Sequence, residues 1–170
     1  MPEEPGPPPE TLQKFVRSLA HADRVLDLGC GDGRLSAELD ATELTAADVS
    51  ATALERAQRR LPGARMVDLQ PDAQLPFDDG AFDLVLCAET IEHVRDVQLL
   101  LSEVRRVLRP GGRLAVTTPA YPPLMRPPDP LSPHLRFFTR RSLRRLLREL
   151  GFEVESLRRR SGTLLARATR

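Results

Sequence analysis

The stretch that most constrains this chain is Arg24-Val25-Leu26-Asp27-Leu28-Gly29-Cys30-Gly31-Asp32-Gly33. Its first half, Arg24–Leu28, is a short apolar run of the kind that forms a buried strand. Its second half places glycine at every second position, which removes side chains where a strand must turn toward a helix. A ligand can lie directly on such backbone. A dinucleotide site has the spacing G-x-G-x-x-G, which aims a helix N-terminus at a pyrophosphate. Here the third glycine comes one place early, and Asp27 and Asp32 bring negative charge. That loop repels phosphate and suits a neutral or cationic ligand.

The 170 residues, 41% hydrophobic and 29% charged, are enough for one domain with one core. Aromatics are only 4%, so aliphatic side chains must fill that core. No apolar run approaches the roughly 18–20 residues that cross a bilayer, and Met1–Glu10 has neither the basic end nor the apolar stretch of a secretory signal. Cys30 and Cys87 cannot form a disulfide framework and read as inert buried thiols. A soluble cytoplasmic protein is expected. Five prolines in residues 1–10 predict a flexible extended tail, leaving a single domain over residues 11–170. Seven prolines between Pro119 and Pro133 predict a long loop. The net charge of +1 hides an imbalance, because the acidic side chains gather before residue 100 and the arginines after it. That asymmetry reads either as solvated helix faces or as a surface for an anionic partner such as nucleic acid.

Strand and helix patterns alternate along the chain. Strands are expected at Arg24–Leu28, Leu44–Asp48, Ala64–Val67, Phe82–Ala88 and Leu114–Thr118. Helices are expected at Arg34–Leu39, from Ser50 as cap to Arg60, along Val97–Leu108, and after Thr139 as cap. Phe152–Leu157 and Thr163–Ala168 close the pattern as antiparallel neighbours, since no helix separates them. Alternation of this kind implies an α/β protein with a mostly parallel sheet covered on both faces.

Asp48 ends the second expected strand and can accept hydrogen bonds from both hydroxyls of a ribose. Asp68 follows the third and can accept from an adenine amino group. With Asp27, both lie at carboxyl ends of parallel strands, where open sheets bind ligands. Val25–Gly33, together with Asp48, Leu75–Asp83 and Leu108–Leu114, resembles the motif set of class I S-adenosylmethionine-dependent methyltransferases, over roughly residues 23–157. The resemblance implies a Rossmann-like seven-stranded sheet of order 3-2-1-4-5-7-6 with strand 7 antiparallel. It also implies S-adenosylmethionine as cofactor. Gly29, Gly31 and Gly33, with Cys30, then shape the loop under the cofactor. Asp27 faces its cationic amino-acid end, Asp48 and Val49 attend the ribose side, Asp68 with Leu69 meets the adenine, and Glu89 lines the methionine and substrate side.

Glu89-Thr90-Ile91-Glu92-His93 follows the fourth strand. A single helical turn would point Glu89, Glu92 and His93 the same way. With His134 they form a candidate set of ligands for a divalent cation such as Mg²⁺, Mn²⁺, Zn²⁺ or Fe²⁺. The element resembles both the ubiquinone-pathway O-methyltransferases and the small-RNA 3′-terminal 2′-O-methyltransferases. In both, the implied metal chelates neighbouring oxygens of the acceptor. Without a metal, His93 reads as a general base or a helix cap, and His134 as a loop residue packed on Phe137. His93, Glu92 and His134 are the candidate catalytic residues. A small-molecule acceptor methylated on oxygen is the leading expectation. RNA methylated at its 3′ end is the second, and a catalytically silent cofactor-binding subunit the third. The substrate lid is expected from Thr11–Ala20 and Pro119–Phe138.

Overall fold

A computed structural model describes residues 6–121 and 136–170. The strands are β1 (Ala22–Leu28), β2 (Ala41–Asp48), β3 (Arg65–Asp68), β4 (Phe82–Ala88), β5 (Leu108–Pro119), β6 (Glu153–Arg160) and β7 (Thr163–Thr169). The helices are α1 (Glu10–Arg17), α2 (Ala51–Arg60), α3 (Val97–Val107) and α4 (Arg140–Glu149). The strands form one sheet of order β3-β2-β1-β4-β5-β7-β6. β7 runs antiparallel to both β5 and β6, and the pairs among β1 to β5 are parallel. Fold class, strand order and the reversed last strand are those expected.

Alternation along the central strands divides the core between the two faces of the sheet. Leu26, Val85, Cys87, Leu114 and Val116 pack with Leu101 and Val104 of α3 and Leu143 and Leu147 of α4. Val25, Leu84, Leu86 and Ala115 pack with Leu12, Phe15 and Val16 of α1. The segment expected as part of a lid is therefore largely a helix that buries its apolar stripe on the sheet. Three helix starts are capped, two of them (Ser50 and Thr139) as expected and the third, Asp96, found in the structure. Ser50 accepts from Ala53 N at 3.3 Å, Asp96 from Leu99 N at 2.9 Å, and Thr139 from Ser142 N at 3.0 Å.

One expected helix is missing. Arg34–Leu39 holds only a short 3-10 turn, Ser36–Glu38. The Ser36 hydroxyl is committed to Asp27 at 2.5 Å, and Glu38 N and Leu39 N bond three residues back, to Leu35 and Ser36 carbonyls. Only Leu39 and Asp40 then separate the turn from β2, so no second turn has room to form.

The irregular chain between β3 and β4 is fastened to α3 by two side chains, Arg106 and Glu103. The Arg106 guanidinium donates to the carbonyls of Leu75 (3.0 Å) and Phe77 (2.8 Å) and to the carboxylates of Glu103 (2.8 Å) and Asp79 (2.8 Å). Glu103 also accepts from Leu75 N at 3.0 Å. Hydrogen bonds from Arg106 hold the Glu103 carboxyl below its ordinary pKa. Arg106→Ala strands a buried carboxylate and two carbonyls, and we expect a loss of about 3 kcal/mol in urea unfolding. Since Glu103 contributes only while ionised, the difference between variant and wild type shrinks as pH falls below the ordinary value of 4.5.

Candidate active site

The carboxyl ends of β1, β2 and β4 open into a cleft of about 420 Å³, a volume typical of small-ligand sites. Gly29, Asp48, Val49, Leu69, Glu89 and His93 line it. The glycine loop crosses to the end of β2, with Gly29 N and Cys30 N donating to Ala47 O at 2.8 and 3.1 Å. Gly31 N donates to Asp48 Oδ2 at 2.9 Å, and Ser50 N to Asp48 Oδ1 at 2.9 Å. Each carboxylate oxygen thus holds one backbone donor, which fixes its orientation and leaves lone pairs for a ligand.

Each glycine of the loop answers a different demand. A Cβ at Gly29 would sit 2.5 Å from Thr90 Oγ1, and one at Gly33 would meet Leu61 at 2.9 Å and Ala57 at 3.2 Å. At Gly31 (φ +55) a Cβ would meet nothing within 4 Å. Gly29 and Gly33 therefore serve internal packing, while Gly31 presents bare backbone to open space.

Asp27 lies under the loop, 1% exposed. Its Oδ2 accepts from Ser36 Oγ at 2.5 Å, and its Oδ1 is buried with no hydrogen-bond partner. Burial, opposed by the Ser36 hydroxyl and reinforced by the Asp48 charge, pushes the Asp27 carboxyl up to about 7. Asp32 is held by Arg34 at 2.8 Å and Arg60 at 3.8 Å. The loop is thus less anionic than its sequence suggests, because one carboxyl resists ionisation and the other is paired. Burial pushes both thiols, Cys30 and Cys87, well above the ordinary range, as expected of inert cysteines.

The remaining candidates are dispersed. Asp68 is exposed at the end of β3 and is not among the residues that line the cleft, whereas Leu69 is. Residues 89–93 are not a helical turn. Glu89 takes a left-handed conformation (φ +51), its N donates to Thr117 O at 2.9 Å, and Thr117 Oγ1 donates to its carboxylate at 2.9 Å. Glu92 turns inward, fully buried, and accepts from Thr118 Oγ1 at 3.0 Å. His93 stays at the cleft, its side chain 40% exposed and its Nε2 3.9 Å from Glu92 Oε1. Reversal of the chain at Glu89 separates the two carboxylates that a helix would have aligned. Among the described residues no group of three or more His, Cys, Asp or Glu side chains is placed to hold a metal ion. His134 lies outside the described residues.

The sequence reading overlooked Thr90, Leu99 and Arg95. Thr90 Oγ1 bridges the carbonyls of Leu28 and Ala88, both at 3.0 Å, and so ties β1 to β4 beneath the loop. Leu99 is 41% exposed and Val49 57% exposed, and both line the cleft as apolar plates. Arg95 also lines it, and its carbonyl accepts from Arg136 at 2.6 Å. Phe138 anchors in the core, while Phe137 faces outward against Tyr121, with ring centroids 6.4 Å apart.

A profile of the methyltransferase domain family matches residues 26–116, and the chain belongs to that family. Among its relatives, a demethylmenaquinone methyltransferase of Clavibacter sepedonicus is 41% identical over 106 residues, covering 60% of this chain and 43% of the relative. The O-methyltransferase cnsE of Penicillium expansum is 32% identical over 152 residues, covering 81% of this chain and 54% of the relative. The chain thus spans about half the length of these curated relatives. A crystal structure of a proposed methyltransferase from Bacillus halodurans superposes with a TM-score of 0.76 at 17% identity, covering 94% of this chain and 96% of the other, which speaks to fold alone.

The family implies S-adenosylmethionine, and the residues present fit it. Gly31 offers bare backbone, Asp48 offers oriented lone pairs, Val49, Leu69 and Leu99 offer apolar surfaces, and Asp27 offers an unpartnered oxygen under the loop.

Two outcomes follow from this geometry. Gly31→Ala places an L side chain at positive φ, so folding stability falls by only about 1–2 kcal/mol, while calorimetry shows binding of S-adenosylhomocysteine lost or severely weakened. Asp27 retains a proton in the native state that the unfolded chain releases above its ordinary value of 3.8. Stability therefore declines as pH rises from about 4 to about 7 and levels off above that. In Asp27→Asn that decline is absent from unfolding curves taken across the same range.

Proposed function

We propose that the protein transfers the methyl group of S-adenosylmethionine to an oxygen of a small-molecule acceptor. The observation that carries this reading is the bare Gly31 backbone beside a doubly tethered Asp48, where a hollow lined by Gly31 and Asp27 adjoins, at Gly29, a cleft with apolar walls. Asp48 accepts from the ribose hydroxyls. Val49, Leu69 and Leu99 shield the adenine from water. The free oxygen of Asp27 faces the cationic amino-acid end, where an ammonium favours its ionised form.

The cofactor, when bound, supplies a methyl group already activated by the positive sulfur. The chain has then to align an attacking atom, exclude water and dispose of a proton. His93 is the group for the proton, because it lines the cleft and its side chain stays part-exposed. Oxygen as target agrees with the name of the relative from Penicillium expansum. Glu89 is held to β5 by Thr117 in a strained conformation, as residues at functional sites often are.

Thermal shift tests the cofactor. S-adenosylhomocysteine at a hundred times its dissociation constant adds about 2.7 kcal/mol of stability, and Asp48→Ala loses most of that gain. Stabilisation by NAD in its place rejects the assignment. For the acceptor, methyl-labelled cofactor is offered with a panel of phenols, amines and activated carbon acids. The label is expected on oxygen, and His93→Gln lowers kcat by about 10²–10⁴-fold with cofactor affinity kept. Label found only on nitrogen or carbon overturns the oxygen assignment.

A further inference from the structure

A second concavity lies away from the cofactor cleft, between α1 and the edge strand β6. Its volume is about 600 Å³, and Lys14, Ser156, Arg158, Arg160, Ser161 and Arg167 are among its lining. α1 covers the centre of that sheet face, from β1 to β7, and leaves β6 bare beside it. On β6, Ser156, Arg158 and Arg160 share a face by alternation. Arg158 and Arg160 are exposed, and their guanidinium groups form no ion pair or hydrogen bond among the described residues. Arg167 is set in place by Ser18 Oγ at 2.6 Å and lies 5.5 Å from the centre of the Phe15 ring. Two acids lie nearby. Glu10 pairs with Lys14 at 2.8 Å, and Glu155, in the lining itself, accepts from the Thr169 hydroxyl and leaves the arginines in excess.

We propose that this groove binds the phosphodiester backbone of a single-stranded nucleic acid. Arginines two residues apart on a strand are spaced by about 6.6 Å, close to the step between successive phosphates of an extended strand. The hydroxyls of Ser156 and Ser161, on either side of the pair, add donors for phosphate oxygens. A lipid surface fits less well, because the site is concave and its apolar side chains, Phe15 and Leu165, are buried and have nothing to insert. The register Arg160↔Thr163↔Pro119 puts the arginines at the sheet end that holds the cofactor cleft, two strand spacings (about 10 Å) from β5. At that end Ala120 N bonds the Gly162 carbonyl of the β6–β7 turn, and the next residue, Tyr121, forms an exposed edge-on pair with Phe137. A basic track with exposed aromatic rings at the same sheet end supplies the two elements by which sequence-indifferent binders hold single strands.

The test reads binding rather than methylation, so it is independent of the acceptor. Anisotropy of a fluorescent oligouridylate is followed through a potassium chloride series. Binding is expected at low salt, with a slope of log affinity against log salt of about −2.1 if Arg158, Arg160 and Arg167 each neutralise a phosphate. Arg158→Gln/Arg160→Gln makes the slope shallower by about 1.4, and Arg158→Lys/Arg160→Lys restores it. Arg144→Gln/Arg148→Gln, an equal loss of charge on the exposed side of α4, leaves it unchanged. Stabilisation by S-adenosylhomocysteine in every variant shows that each is folded. The proposal is overturned if oligouridylate does not bind, if the α4 variant shifts the slope as much as the β6 variant, or if polyglutamate or anionic vesicles bind as tightly as the oligonucleotide.

Discussion

The site depends on one buried contact, the hydrogen bond from Ser36 to the Asp27 carboxylate beneath the glycine loop. A carboxyl removed from water must find donors or give up its charge. Here it finds one, and its second oxygen stays unsatisfied. Ser36 is drawn down to supply that donor, which shortens the helix expected after the loop to a single tight turn. The loop therefore closes over a partly satisfied acid. Bare backbone at Gly31 and the fixed Asp48 carboxylate sit directly above it. The fold spends stability here to keep a polar atom ready for a ligand.

The cleft wall opposite the loop rests on a different principle. Residues between β3 and β4 have no regular structure, so their backbone groups need partners from elsewhere. Arg106 meets two of their carbonyls and Glu103 one of their amides. An arginine suits this role because its rigid fork serves several acceptors at once. Beside it, Asp72 and Glu89 take left-handed conformations, and both line the cleft. Two of the three described non-glycine residues at positive φ thus lie at the ligand space, and the third, Ser161, lies in the β6–β7 turn.

Much of this was legible in the sequence, for identifiable reasons. Phe82–Ala88 is a continuous apolar run, and it forms β4 with those boundaries. Ser50 with Pro62-Gly63 brackets α2, and Thr139 marks the start of α4. Strand order came from family resemblance, since periodicity carries no information on which strands are neighbours. The failures are all places where a long-range contact outweighs a local preference. Ser36 answers to Asp27 rather than to a helix, Glu89 answers to Thr117 on β5, and α1 answers to the sheet rather than to the cleft. Phe137 and Phe138, adjacent and alike in sequence, part company because only one finds room in the core.

The exit from β5 and the approach to α4 are stitched together. Ala120 bridges Phe138, and Tyr121 N donates to Phe138 O at 2.8 Å. The two ends of the intervening chain therefore meet at a closed gate whose position the sheet dictates. Chain length inside such a gate adds entropy of closure only logarithmically, so segments of very different size and chemistry can occupy it without disturbing the strands.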